Sequence, residues 1–136
     1  MTLCDAGPLI ALLIARDPSH DRCVAAARLL PPGPLVTTWP CFTEAMYLVG
    51  REGGYPAQEQ LWQLRASGGL ILHETTGAEA DQMRALMAVY RDAPMDVADA
   101  SLVAAAGARN ERRVFTIDRH FYAYQTPDAQ SFEVVP

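Results

Sequence analysis

Four short apolar runs, each separated from the next by helix-patterned sequence, constrain the fold of this chain more than any other feature. Residues 2–5 open it as a buried strand. Leu35-Val36-Thr37-Thr38 forms a second, Leu70-Ile71-Leu72 a third and Val114-Phe115-Thr116-Ile117 a fourth. Residues 132–135 offer a short edge strand. Between the runs, apolar residues recur at helical spacing. Pro8 suits the start of a helix that carries Leu9, Ile10, Leu12 and Leu13 to about Ala15, and Ser19 suits the cap of a second through Val24, Ala27 and Leu30. Helices are expected over 40–50 and 56–66, broken apart at Gly53-Gly54. Two more follow, one capped by Thr76 and ended by Pro94, the other over 97–108. Strands that alternate with helices pair in parallel through right-handed crossovers. The unbroken apolar character of the third and fourth runs suits strands covered on both faces. The expected architecture is α/β: a three-layer α/β/α sandwich around a parallel sheet of about five strands, built as a single domain over residues 1–136.

Several function classes are excluded by what the chain lacks. No apolar run reaches the roughly 18 residues of a membrane span, and no basic leader precedes 9–14, so a cytoplasmic protein without membrane contact is expected. Cys4, Cys23 and Cys41, like His20, His73 and His120, are scattered, with no disulfide framework and no zinc spacing. There is no lysine; all eleven cations are arginine. A Walker A phosphate loop is therefore absent. Dehalogenase-type phosphatases and response-regulator receivers, which gather aspartates at strand ends but use a lysine, are disfavoured too.

The acidic residues carry the chemistry. Asp5 ends the first apolar run, Glu44 follows the second, Asp99 lies in the first turn of the 97–108 helix and Asp118 ends the fourth run. In an open parallel sheet, ligands bind beyond the carboxyl ends of the strands, where the strand order reverses. If the first and fourth strands are neighbours, Asp5 and Asp118 face one crevice. The 97–108 helix runs directly into the fourth strand, so its start, with Asp96 and Asp99, lies at the same rim. Carboxylates brought together repel one another and lose hydration. A divalent cation relieves both costs, and oxygen ligands suit Mg²⁺ or Mn²⁺. Such an ion can generate a hydroxide nucleophile and stabilise a leaving oxygen, which fits phosphodiester hydrolysis. Formal net charge is −5, yet the chain is neutral once Asp5, Glu44, Asp96, Asp99 and Asp118 are set aside. The acidic balance thus does not exclude a nucleic-acid substrate.

Together these residues resemble the PIN domain family along nearly the whole chain. Leu3-Cys4-Asp5-Ala6-Gly7-Pro8-Leu9-Ile10 is similar to its first motif, and Glu44 after Thr37-Thr38-Trp39-Pro40 to its second. Met95-Asp96-Val97-Ala98-Asp99-Ala100-Ser101-Leu102 is similar to the third, and Phe115-Thr116-Ile117-Asp118-Arg119-His120-Phe121 to the fourth. The resemblance implies a sheet ordered 3-2-1-4-5 and an Mg²⁺- or Mn²⁺-dependent ribonuclease. Asp5, Glu44, Asp99 and Asp118 would be its catalytic metal-binding acids, and Thr116 would hydrogen-bond a ligand or water. The size is like that of VapC-type toxins of toxin–antitoxin pairs. This implies a homodimer, a small antitoxin partner and structured RNA such as tRNA as substrate.

Each candidate has a plainer alternative. Asp5 and Asp118 could be turn aspartates. Asp99 could serve only its helix dipole, and Asp96 could serve as N-cap with Asp99 in a capping box. Glu44 could be a solvated helix residue, and Thr116 could simply fill its strand. Arg109 and Arg112 read as helix C-terminal charge, whereas Arg119, directly after Asp118, suits an RNA phosphate. Trp39, Tyr47, Phe121, Tyr122 and Tyr124 suit packing or base stacking, and the Met83, Leu86, Met87, Tyr90 stripe suits core or a subunit interface. A non-catalytic RNA- or protein-binding module and a small metabolite phosphatase remain the competing functions.

Overall fold

Neighbouring residues on each strand serve opposite cores, and this alternation organises the molecule. The computed structural model describes residues 1–136. Its strands are β1 (Thr2–Cys4), β2 (Leu35–Thr38), β3 (Leu70–His73), β4 (Arg113–Phe115) and β5 (Glu133–Val135). All pair in parallel, in the order β3-β2-β1-β4-β5. Cys4 of β1 and Phe115 of β4 enter one core with α1 (Ala6–Leu13), α2 (His20–Leu29) and α3 (Trp39–Ala66). Their neighbours Leu3 and Val114 enter a second core, with α4 (Gly77–Val89) at its margin and α5 (Val97–Arg109) at its centre. Burying a Leu- or Phe-sized side chain contributes roughly 1.5–3 kcal/mol, so these two cores, more than the three- and four-residue strands, hold the layers together. The three-layer α/β/α expectation is borne out. No helix is long and apolar enough to cross a membrane.

The strand order fixes where a site can form. The chain adds β2 and β3 on one side of β1, then returns to add β4 and β5 on the other. The reversal therefore lies between β1 and β4, where a crevice opens beyond the strand ends. Register pairs Cys4 with Phe115, so Asp5 and Thr116 follow side by side at the rim. The Asp5 N–H still donates to the Phe115 carbonyl at 2.9 Å, which anchors the turn out of β1.

Several local expectations are corrected. The fourth strand stops at Phe115, not Ile117. The Thr116 N–H still donates to Val135 O, but Ile117 is exposed and Asp118 caps a 3-10 helix, Arg119–Tyr122. The first helix begins at Ala6, with Asp5 as its N-cap, and ends at Leu13. Ser19 occupies the second N-cap without a side-chain bond; instead its N–H donates to Asp17 Oδ1. Residues 39–66 form one helix bent at Gly54, whose φ of 68° only glycine adopts at little cost, so the expected break survives as a kink. Trp62, an aromatic residue of the second half of this helix, is 41% exposed and meets Phe42 edge-on. Arg109 is no solvated helix-end charge. Its Nε donates to buried His73 Nδ1, and His73 Nε2 faces Glu79 Oε2 at 2.7 Å.

Candidate metal centre

Three of the expected acids meet. Carboxylate oxygens of Asp5, Asp99 and Asp118 lie within 4.8 Å of one another, although the residues come from the end of β1, the first turn of α5 and the segment after β4. Asp5 and Asp99 are buried, while the Asp118 side chain is 34% exposed and opens the cluster to solvent.

Each acid is held by donors that fix its orientation. The Thr116 hydroxyl donates to Asp5 Oδ2 at 2.8 Å, and the Ala6 N–H donates to Asp5 Oδ1 at 2.8 Å. Thr116 Oγ1 in turn accepts the Asp118 N–H at 3.0 Å, so one hydroxyl ties two of the acids together. Asp118 Oδ1 accepts the His120 N–H and lies 2.8 Å from His120 Nδ1. Asp99 shares a capping box with Asp96: its own N–H donates to Asp96 Oδ1 at 2.8 Å, and the Asp96 N–H reaches Asp99 Oδ2 at 3.4 Å. The Tyr124 hydroxyl donates to Asp99 Oδ2 at 3.2 Å.

Electrostatics follow from this packing. Burial pushes the Asp5 carboxyl up, with Asp118 and Asp96 adding to the rise and the Thr116 and Ala6 hydrogen bonds opposing it. Asp99 is pushed up to about 7, first by burial and then by the charges of Asp96 and Asp5. Glu44 is exposed on α3 and outside the tight group. Partial desolvation and the charges of Asp5, Asp96 and Asp118 nonetheless raise its carboxyl above the ordinary range. Asp96 is likewise exposed and outside the group.

Nothing in the sequence pattern gives Tyr124, Cys41 or His120 a part in holding the acids. Tyr124, weighed as a stacking residue, is 1% exposed and supports Asp99, and Phe121 beside it is also core. The buried Cys41 thiol lies 3.8 Å from Asp5 Oδ1. Burial and Asp5 push that thiol far above its ordinary range, and it is not among the three residues whose ligand atoms converge. The remaining donor set is all carboxylate oxygen, which suits a hard divalent cation.

No known family model matches the chain. Along its length it is similar to the ribonuclease VapC26 of Mycobacterium tuberculosis, at 29% identity over 139 residues, covering 98% of this chain and 99% of that one. Among solved structures it resembles VapC20 of M. tuberculosis, a sarcin–ricin loop cleaving toxin, with a TM-score of 0.86, 20% identity and full coverage of both chains. VapBC2 of Rickettsia felis, solved on a promoter DNA fragment, aligns over 99% of this chain and 98% of that one, with a TM-score of 0.69 and 12% identity. These likenesses and the strand order bear out the PIN-domain resemblance and its fold.

Proposed function

We propose that this chain, a PIN-fold protein of the VapC type, is a divalent-metal-dependent endoribonuclease that acts as the toxin of a toxin–antitoxin pair. The observation that carries the reading is the convergence of Asp5, Asp99 and Asp118 at the β1/β4 reversal. Full-length similarity to a named ribonuclease supports the same reaction class. Asp5, Asp99 and Asp118 would hold Mg²⁺ or Mn²⁺, with Glu44 and Asp96 reaching it from the rim through water. Such an ion supplies a nucleophile from water and counter-charge for the leaving oxygen.

The chain's own residues prepare that site. Thr116 orients Asp5 and Tyr124 orients Asp99 through the bonds described above, which favours the ionised forms a cation needs. Burial of Asp5 and Asp99 leaves one open side, at Asp118, for a phosphodiester to approach. Arg119, exposed next to Asp118, would take a phosphate oxygen of the RNA. The partners proposed are a structured RNA, a small antitoxin and a second copy of the chain. Toxin–antitoxin complexes among the structures of this fold support the antitoxin. α4, with no fully buried side chain and Val89 72% exposed, offers a face for the second copy.

The test is cleavage of RNA by the purified chain with Mg²⁺, with and without excess chelator, beside Asp5→Asn. Cleavage should vanish in chelator and in the variant while the circular dichroism spectrum is unchanged. Full activity in either sample defeats the mechanism. Turnover of a generic phosphomonoester with RNA left intact would favour a phosphatase.

A further inference from the structure

Next to the acidic centre lies an open depression of about 340 Å³ that shares Thr116 and Asp118 with it. Arg22 from α2, Ile117, Arg119, Tyr122, Val134 and Pro136 complete its lining. Its volume is at the lower end of small-ligand sites, roughly 300–1,000 Å³. Arg22 and Arg119 are both exposed, and neither takes part in any salt bridge of the molecule. Asp118 stands on the same wall but is engaged by His120. Elsewhere Arg16, Arg51 and Arg113 are bound to glutamates and Arg109 to His73. Tyr122 is 68% exposed, while the adjacent Phe121 is fully buried and anchors the 3-10 helix that presents it.

Free guanidinium groups with an exposed aromatic ring match the chemistry of a single-stranded nucleotide, whose phosphate takes the cations and whose base takes the ring. We infer that this depression is a nucleotide subsite. Arg22 and Arg119 hold a phosphate neighbouring the scissile one, and Tyr122 stacks on the attached base. Ile117, Val134 and Pro136 supply the apolar part of the lining. That the neighbouring phosphate is scissile rests on the nuclease reading; the binding itself does not. Arg22 is distant in sequence from every acidic motif and comes to the depression from α2, across from Val134 of β5 and Pro136.

Binding and cleavage are tested separately. A fluorescein-labelled, mixed-sequence single-stranded RNA is titrated by anisotropy against the full chain in the non-cleaving Asp5→Asn background, over a salt series. Arg22→Gln and Arg119→Gln should each flatten the slope of log K against log salt by about 0.7. Tyr122→Ala should weaken binding roughly 5- to 150-fold, the span expected on losing one base–aromatic stack. Arg84→Gln, an exposed arginine of α4 without an acidic partner, is the control and should leave the slope unchanged. Unchanged affinity and slope in the Arg22 and Tyr122 variants would overturn the subsite and leave the depression to another partner, such as an acidic peptide. Equal effects from Arg84→Gln would reduce the result to net charge and overturn it too. Cleavage by the unsubstituted chain, measured separately, tests the nuclease reading without touching this result.

Discussion

Replacing Asp99 by asparagine should make the metal-free protein more stable. With oxygens of Asp5, Asp99 and Asp118 within 4.8 Å of one another, each ionised pair repels by about 3 kcal/mol at the effective dielectric of such a site. The rise of Asp99 from 3.8 to about 7 corresponds to about 4 kcal/mol against its ionised form in the folded chain. Desolvation on burial is the largest cause of that rise, followed by the charges of Asp96 and Asp5, so removing the charge relieves both the lost hydration and the repulsion. Because the folded pKa lies above the unfolded one, the folded chain binds the extra proton, and wild-type stability falls as pH rises from about 4 to about 7. An asparagine side chain at this position would carry no charge, and its oxygen, placed where Oδ2 lies, could still accept from both Tyr124 and the Asp96 N–H. In chelator at about pH 8, D99N should therefore gain about 2–4 kcal/mol, a melting-temperature rise on the order of 10 °C for a domain of this size. At about pH 5 the wild-type carboxyl is already protonated and the gain should disappear. Excess Mg²⁺ should stabilise the wild type, by about 2.7 kcal/mol at 100 times its Kd, and leave D99N almost unmoved. Differential scanning fluorimetry across pH, with chelator or Mg²⁺, reads all three effects. A variant no more stable than wild type at about pH 8, or equally favoured at about pH 5, would refute the claim that a buried, crowded charge at Asp99 destabilises the metal-free fold.

Two supporting donors give further tests. Thr116→Val removes the hydroxyl that lowers the Asp5 pKa and ties Asp118 to it, so Mg²⁺ affinity by calorimetry should fall roughly 10- to 100-fold; unchanged affinity would remove Thr116 from the site. Tyr124→Phe deletes the donor to Asp99 from a buried ring. It should cost about 1 kcal/mol of stability in urea unfolding, and it should also shift the pH midpoint of Mg²⁺ binding upward, which a purely structural tyrosine would not do.

Much of this was legible in the chain because short apolar runs and their terminal acids obey local rules. Asp5 and Asp118 could be placed from strand ends alone, since parallel topology decides which ends meet, and Asp99 from a helix that must run antiparallel to the strand it enters. The capping box of Asp96 and Asp99 was equally readable, being a three-residue pattern. The positions that escaped depend on contacts across the fold. Tyr124 meets Asp99 over 25 residues and Cys41 meets Asp5 over 36, with no periodic signal to announce either. Arg22 is an ordinary exposed helix residue until β4 and β5 are laid beside α2. Glu44 was placed at the rim by its proximity to β2. The cap at Thr38 starts the helix at Trp39, however, so Glu44 emerges on a later turn, exposed and outside the tight group. The fourth strand was read two residues too long because Thr116 and Ile117 continue the β-branched pattern. The Thr116 hydroxyl instead serves Asp5 and Asp118, and the backbone turns there.

Anomalous diffraction from crystals soaked in Mn²⁺ addresses the central claim most directly. The account predicts a peak bounded by the carboxylates of Asp5, Asp99 and Asp118. A peak confined to other acids, or none at saturating Mn²⁺, would contradict it.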